Sequence, residues 1–331
     1  MLRRAVACLP LLTLLVAGCS LFRRNANSSA SSQGSPSTVA AKPQTISVSD
    51  LAEREFARLK SEEEAALLEL DLRVREPQTL PAAERAFHRL EANRDLIQRL
   101  SPLRQRLRDF LNRHPQHAPA WIAYGGLLTA LSEEKEAITS LQRALELDGT
   151  RADAWNNLAT LYGTMAVEQR KGEFASVALG AYDKAIACAP HVALYHNSLA
   201  ILISLFPMQA GEHYRSRPER MPALALNHFR KAGELDPGSF AFAADLAEAH
   251  LGLRPLRKAD ALAAWDAAHK LARTPQEVEW VHLQTALLEL EDGRPDRAQE
   301  HLMKVTSPAY DKLKARIALA LKGTSVKPSR P

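Results

Sequence analysis

An all-α fold, built as an α-α superhelix of stacked helix pairs, is what this sequence predicts. Three observations carry that expectation. Only 6% of the 331 residues are aromatic while alanine and leucine abound, a mix that suits helices far better than sheets. From Asp50 onward apolar residues recur at spacings of three, four or five, close to the helical period. The pattern also repeats itself along the chain, which is how stacked supersecondary units announce themselves in a sequence.

The first helix is predicted within an N-terminal segment, 49–83. Ser49 or Asp50 can cap it, and Leu51, Phe56, Leu59, Ala66, Leu70 and Val74 form its apolar stripe. Pro77 and Pro81 break it, and Pro81 suits the first turn of the next helix. Around Trp121 the chain reads AWIAYGGLLTALSEEKEAITSLQRALELDG; around Trp155 it reads AWNNLATLYG and then FASVALGAYDKAIACAP. Around His196 it reads LYHNSLAILIS and then MPALALNHFRKAGELDP.

These segments resemble the tetratricopeptide repeat, a 34-residue helix pair with a large residue at position 4, small ones at 8, 20 and 27, and proline at 32. In the repeat spanning 118–151, Trp121 falls at position 4, Gly125 at 8, Ala137 at 20, Leu141 at 24 and Ala144 at 27, with Gly149 in place of the proline. The repeat from Ala152 carries Trp155, Leu158 and Ala159, then Ala178, Tyr182, Ala185 and Pro190, seven residues later than the frame. The repeat from Ala193 carries His196, Leu199 and Ala200, then Ala225, Phe229, Ala232 and Pro237, thirteen residues late. A fourth pair uses Ala243, Leu246 and Ala247, then Ala261, Trp265 and Ala268; a fifth uses Trp280 and Leu283, then Ala298 and Leu302. A domain of about five helix pairs is therefore expected over 118–308, with insertions near 165–174 and 203–222. Residues 84–117 keep the frame through Phe87, Leu90, Leu103, Leu107, Phe110 and Pro115 but lack the small residues, and read as a degenerate helix pair. Residues 309–322 read as a capping helix and 323–331 as a disordered tail. The physics agrees, because one helix pair cannot bury its apolar face alone whereas stacked pairs can.

The chain's start carries a separate signal. Met1-Leu2-Arg3-Arg4 is basic, and Ala5 to Ala17 is an apolar run, too short for the ~20 residues of a spanning helix but of signal-peptide proportions. It ends Leu14-Leu15-Val16-Ala17-Gly18-Cys19-Ser20, which resembles the lipobox of bacterial lipoproteins. The resemblance implies a signal peptide over 1–18, cleavage after Gly18, and a diacylglycerol on the Cys19 thiol, with further acylation of the new amine. An ordinary secretory leader with an accidental cysteine is the alternative. Acyl chains anchor because each buried CH₂ contributes about 0.8 kcal/mol. Ser20, by the enterobacterial sorting rule, implies the periplasmic face of the outer membrane; the inner membrane or the cell surface are the alternatives. Residues 19–48 hold the lipidated cysteine and a linker rich in Ser, Ala, Asn, Gln and Pro without periodicity, a flexible tether of roughly 25–35 Å root-mean-square span.

Charge and chemistry narrow the functional class. The net charge is +5, or +3 once Arg3 and Arg4 leave with the leader, too mild to argue for nucleic acid. Of three cysteines, Cys8 lies in the leader and Cys19 at the lipobox, leaving Cys188, read as a buried thiol late in a helix. No nucleotide, zinc-protease or serine-hydrolase motif occurs, so neither catalytic residues, cofactor nor metal is expected. His114 and His117 in HPQH could share a metal or simply form a solvated turn, and His196, at position 4, reads as core. Arg99, Arg104, Arg106, Arg108 and Arg113 form a basic segment that could meet phospholipid or peptidoglycan, or be a solvated face. In the repeat family, first-helix positions 2, 5, 9, 12 and 13 line a concave groove. Carried onto this chain the resemblance implies a peptide-binding groove of Ile122, Asp153, Asn156, Thr160, Leu194, Asn197 and Ile201, with Thr164 and Leu205 beside them; Asn156 and Asn197 could instead bridge helices. The insertion ISLFPMQAGEHYRSRPERMP is a second candidate surface, or a passive turn.

Together these readings imply a lipid-anchored periplasmic scaffold that binds an envelope protein or peptide segment, in outer-membrane, secretion or pilus, or cell-wall assembly. A self-associating structural lipoprotein using the amphipathic first helix is the alternative, and a cell-wall enzyme the remote one.

Overall fold

The computed structural model describes residues 48–75 and 82–324; the lipobox, Cys19, the tether and the C-terminal tail lie outside them. Among the described residues the regular structure is helical. The order is α1 Val48–Arg75, α2 Ala82–Arg113, α3 Ala118–Ala130, α4 Glu134–Leu147, α5 Ala152–Gln169, α6 Gly172–Cys188 and α7 Ala193–Leu205. Then follow α8 Pro207–His213, α9 Met221–Leu235, α10 Phe240–Ala249, α11 Lys258–Leu271, α12 Pro275–Glu291, α13 Pro295–Met303 and α14 Asp311–Thr324. The chain divides into two compact bodies, the first ending at Ala189 and the second beginning at Pro190. No helix among the described residues is long and apolar enough to cross a membrane.

In the N-terminal body α1 and α2 run antiparallel. Glu55 pairs with Arg113 at 2.6 Å and Glu62 with Arg106, while Phe56 and Phe110 bring their rings within 5.9 Å. Leu59, Leu100, Leu107 and Phe110 are fully buried between α1, α2 and α3. The helix pair expected over 84–117 is corrected here: residues 82–113 form one continuous helix. Leu100, Leu103, Leu107, Phe110 and Leu111 keep one face in helical phase straight through Pro102, and no glycine or asparagine offers a turn there. Pro102 sits on the exposed side, where loss of its N–H bond is least costly. The neighbouring Ser101 hydroxyl donates to the Ile97 carbonyl at 2.5 Å.

The pairs α3/α4 and α5/α6 follow in the same body. In the second body come α7/α9, with α8 between them, then α10/α11, α12/α13 and finally α14. The second helix of each of the first four pairs buries a small–large–small triad completely or nearly so: Ala137, Leu141 and Ala144; Ala178, Tyr182 and Ala185; Ala225, Phe229 and Ala232; Ala261, Trp265 and Ala268. Opposite each triad the first helix places a small residue. At Gly125 a Cβ would lie 2.7 Å from Leu141 Cγ, so the α3 backbone rests directly on the Leu141 side chain and a Cβ fits only if that side chain shifts. Gly125→Val is expected to cost about 2 kcal/mol, because Leu141 is fully buried and has nowhere to move. Urea titration of the full chain checks this, and an unchanged midpoint would refute it.

The residue at position 4 has the same task in the first three pairs. Trp121 Nε1 donates to Pro115 O at 2.9 Å and Trp155 Nε1 to Gly149 O at 2.9 Å; His196 Nε2 lies 3.0 Å from Pro190 O. Each ring fastens its helix to the turn six residues earlier. That explains why histidine can replace tryptophan at this place, since both offer a ring N–H.

The insertions take two forms. Near 165–174 the extra residues become helix: α5 has 18 residues and α6 has 17, against 13 and 14 in the preceding pair. The α5 helix ends at Arg170 in the left-handed conformation, φ 54°, and Tyr162 packs on Phe174 at 6.1 Å. Over 203–222 the insertion forms α8 and a 3-10 turn, Pro218–Arg220.

Candidate functional site

The sequence-derived groove residues divide between the two bodies. In the first, Ile122 is 6% exposed and packs with Leu141, Ala144, Ala154 and Leu158. It is core rather than open groove, because α3 turns it toward the next helix pair. Asp153 is half-buried and pairs with Arg151 at 2.7 Å, its carboxylate also accepting the Ala154 N–H. It is a first-turn carboxylate serving the α5 N-terminus. Thr160 and Tyr182 hydroxyls meet at 3.1 Å, tying α5 to α6. Asn156 is buried, and its Oδ1 has no hydrogen-bond partner.

In the second body Leu194 and Ile201 are buried, 7% and 3% exposed, and they too are corrected from open groove to packed positions. The helix α7 is apolar nearly all round, ALYHNSLAILISL, so neighbours cover it on several sides. Asn197 bridges helices: its Nδ2 donates to Asp245 Oδ2 of α10 at 2.8 Å, both residues being buried.

Asp245 and its α10 neighbour Glu248 are what the sequence reading missed. Asp245 is 3% exposed and Glu248 9%. Burial pushes the Asp245 carboxyl up to about 7, against the opposing pull of the Asn197 amide. Burial, and then the Asp245 charge one turn away, push Glu248 up to about 8. Among the described residues neither carboxyl is in an ion pair. Buried carboxyls without a cation are uncommon because ionisation there is costly. The signal was present in the sequence: FAFAADLAEA places Asp and Glu three apart in an otherwise apolar helix.

The other candidates resolve into structure. The basic segment of α2 is engaged internally: Arg104 meets Glu133 at 2.7 Å and Glu136 at 3.1 Å, Arg106 meets Glu62, Arg108 meets Glu136, and Arg113 meets Glu55. The same contacts occupy Glu62 and Glu133, residues of the two acidic runs. His117 accepts the Ala120 N–H on Nδ1 as the cap of α3, and its Nε2 lies 3.1 Å from Glu53. Both ring nitrogens are thus committed. Among the described residues no group of three or more His, Cys, Asp or Glu is arranged to hold a metal. Cys188 is exposed at the end of α6, not buried as its sequence neighbours suggested; the last turn of the helix rotates it away from the Ala178–Tyr182–Ala185 face. The α1 stripe offered for self-association is turned into its own core through Phe56 and Leu59. The 203–222 insertion presents a shallow open hollow lined by Met208, Gly211, Glu212, Arg215 and Pro218.

No protein-family model and no curated protein sequence matches the chain. Solved structures do. PilW, a widely conserved type IV pilus biogenesis factor, superposes with a TM-score of 0.51 over 67% of this chain and 91% of its own, at 15% identity. YrrB, a tetratricopeptide-repeat protein with an unusual peptide-binding site, gives 0.48 over 66% and 98% at 18% identity. PilF of Pseudomonas aeruginosa gives 0.48 over 68% and 95% at 18% identity. At these identities the likeness is one of fold. The fold is the all-α superhelix of tetratricopeptide-repeat proteins, with the residues at positions 8, 20, 24 and 27 of the first four pairs buried.

Proposed function

We propose that this chain is a lipid-anchored periplasmic scaffold, held by Cys19 to the periplasmic face of the outer membrane, whose repeats bind an envelope protein or peptide segment. The observation that carries the reading is the combination in one chain of the 14–20 lipobox, a 28-residue tether over 20–47 and a stack of helix pairs. A repeat stack exposes an extended surface and is used for binding across many users. The tether lets that surface stand off the bilayer. Outer-membrane assembly, secretion or pilus assembly and cell-wall machinery are the settings that suit such a protein.

The reading is tested in cells in two arms. Labelled palmitate is expected on the wild-type chain and absent from Cys19→Ala, which should leave the membrane fraction. Photoreactive residues replacing Thr164, half-buried in the C-terminal half of α5, and Ser204, exposed near the end of α7, are expected to capture a dominant envelope protein. These positions suit better than Asn156 and Asn197, whose burial a probe would disrupt. Unlabelled wild-type protein overturns the anchor; clean membrane localisation with no captured protein overturns the scaffold.

A further inference from the structure

Asp245 and Glu248 are buried on α10, and no cation offsets their burial among the described residues. Three acceptors gather about Asp245 on α10, in the C-terminal body: its own carboxyl, the Asn197 amide of α7 and, one turn along α10, Glu248. The Asp245 carboxyl receives the Asn197 amide at 2.8 Å. Glu248 Oε1 is buried without a hydrogen-bond partner, and so is Asn197 Oδ1, on the same amide that contacts Asp245. Asn197 is 2% exposed, Asp245 3% and Glu248 9%. A buried acceptor without a donor forfeits its hydration; two such oxygens, beside a buried carboxyl that has an amide but no cation for a partner, call for the same thing, a group carrying several N–H donors and positive charge.

We propose that Asn197, Asp245 and Glu248 form a receptor for a lysine side chain presented by the protein partner, its ammonium placed among the three acceptors and its methylene stem reaching them past Glu248. The proposal deepens the scaffold reading and rests on it. Lysine fits the chemistry: three donors answer three acceptors, and an apolar stem can carry the charge into a nearly closed site. Glu248, with the most residual exposure, forms the mouth. On binding, the cation favours both ionised carboxylates, so protons pass from the carboxyls to solvent as the ammonium enters. The chain's own net charge of +5 opposes basic ligands at long range, so a preference for them is diagnostic of a local acidic site.

The test uses the purified full chain and ten-residue peptides of Ser and Ala carrying two lysines, two norleucines or two glutamates. Fluorescence anisotropy is expected to show the lysine peptide binding about tenfold more tightly than the norleucine peptide, the scale of one charge-assisted hydrogen bond. Calorimetry in two buffers of different ionisation heat should register proton release. The variant D245N/E248Q, which removes ionisable groups without removing volume, should fold and lose both the preference and the release. Free butylamine should bind far more weakly than the peptide; equal binding would make the site a small-amine site and overturn the proposal. It is also overturned if the lysine preference is absent, or persists in D245N/E248Q. Failure here with a partner captured at Ser204 leaves the scaffold reading standing; absence of any captured partner strikes that reading instead.

Discussion

Replacing Trp265 by alanine is expected to destabilise the C-terminal body by about 3–5 kcal/mol, the largest single-residue effect outside the loss of a whole helix. Trp265 is fully buried at the centre of the second helix of its pair, enclosed by Ala244, Ala247, Ala261, Ala268, Val281 and Leu288. Small neighbours cannot expand into the space an indole leaves, so the cavity persists. Trp265→Phe separates volume from chemistry. The indole Nε1 is buried without a hydrogen-bond partner, so phenylalanine removes an unsatisfied donor while keeping most of the apolar contact; its expected cost is under about 1.5 kcal/mol. Urea unfolding followed by far-ultraviolet circular dichroism reads both variants. Equal losses in the two would mean that the Nε1–H, not the packing, holds the site together. Because each helix pair packs mainly on its neighbours, the transition is expected to broaden as it shifts.

The packing code of this fold was legible because it depends on size at fixed spacing. Gly125, Ala137, Leu141 and Ala144 could be placed from the sequence, since a 34-residue period with small residues at set positions has few physical alternatives. The errors arose where periodicity does not discriminate. Residues 84–117 carry apolar residues in helical phase whether they form one helix or two, and only a turn signal distinguishes the cases; Pro102 is not one when it faces solvent. The candidate groove was harder to read. Position along a repeat says which face a side chain is on, but not whether the next pair covers it, and that is why Ile122, Leu194 and Ile201 are packed. Asn197 could be read equally as a ligand contact or a helix bridge, and only its partner, forty-eight residues away, decides it. That partner, Asp245, carries no local motif; its significance lies in an environment the linear sequence does not display.

That environment makes the pH dependence of stability a direct measure of the acidic pair. With burial raising Asp245 to about 7 and Glu248 to about 8, the folded chain binds more protons than the unfolded chain, in which these groups titrate near 4. Stability is therefore complete at low pH with respect to this pair, declines as pH rises between the unfolded and folded values, and levels above about pH 8. Two opposing contributions have to be separated. Burial and neighbouring His301 depress His282 to about 4, so between about pH 4 and 6.5 the folded state binds fewer protons there and stability rises with pH. Carboxylates held low by donors, such as Glu279, where burial opposes but the Thr306 and Ser307 bonds prevail, act only in the acid range. Between pH 6.5 and 8 the acidic pair dominates, and the wild-type chain is expected to lose on the order of 2 kcal/mol across it. D245N/E248Q should show no such slope and be the more stable protein at pH 8, as expected when a buried charge without a partner is replaced by its neutral isostere. The lysine peptide should restore the lost stability in the wild-type chain alone, by mass action on the folded state. A flat wild-type profile between pH 6.5 and 8 would mean that the two carboxyls reach water or a cation when the chain is folded, and the cation receptor would lose its physical basis.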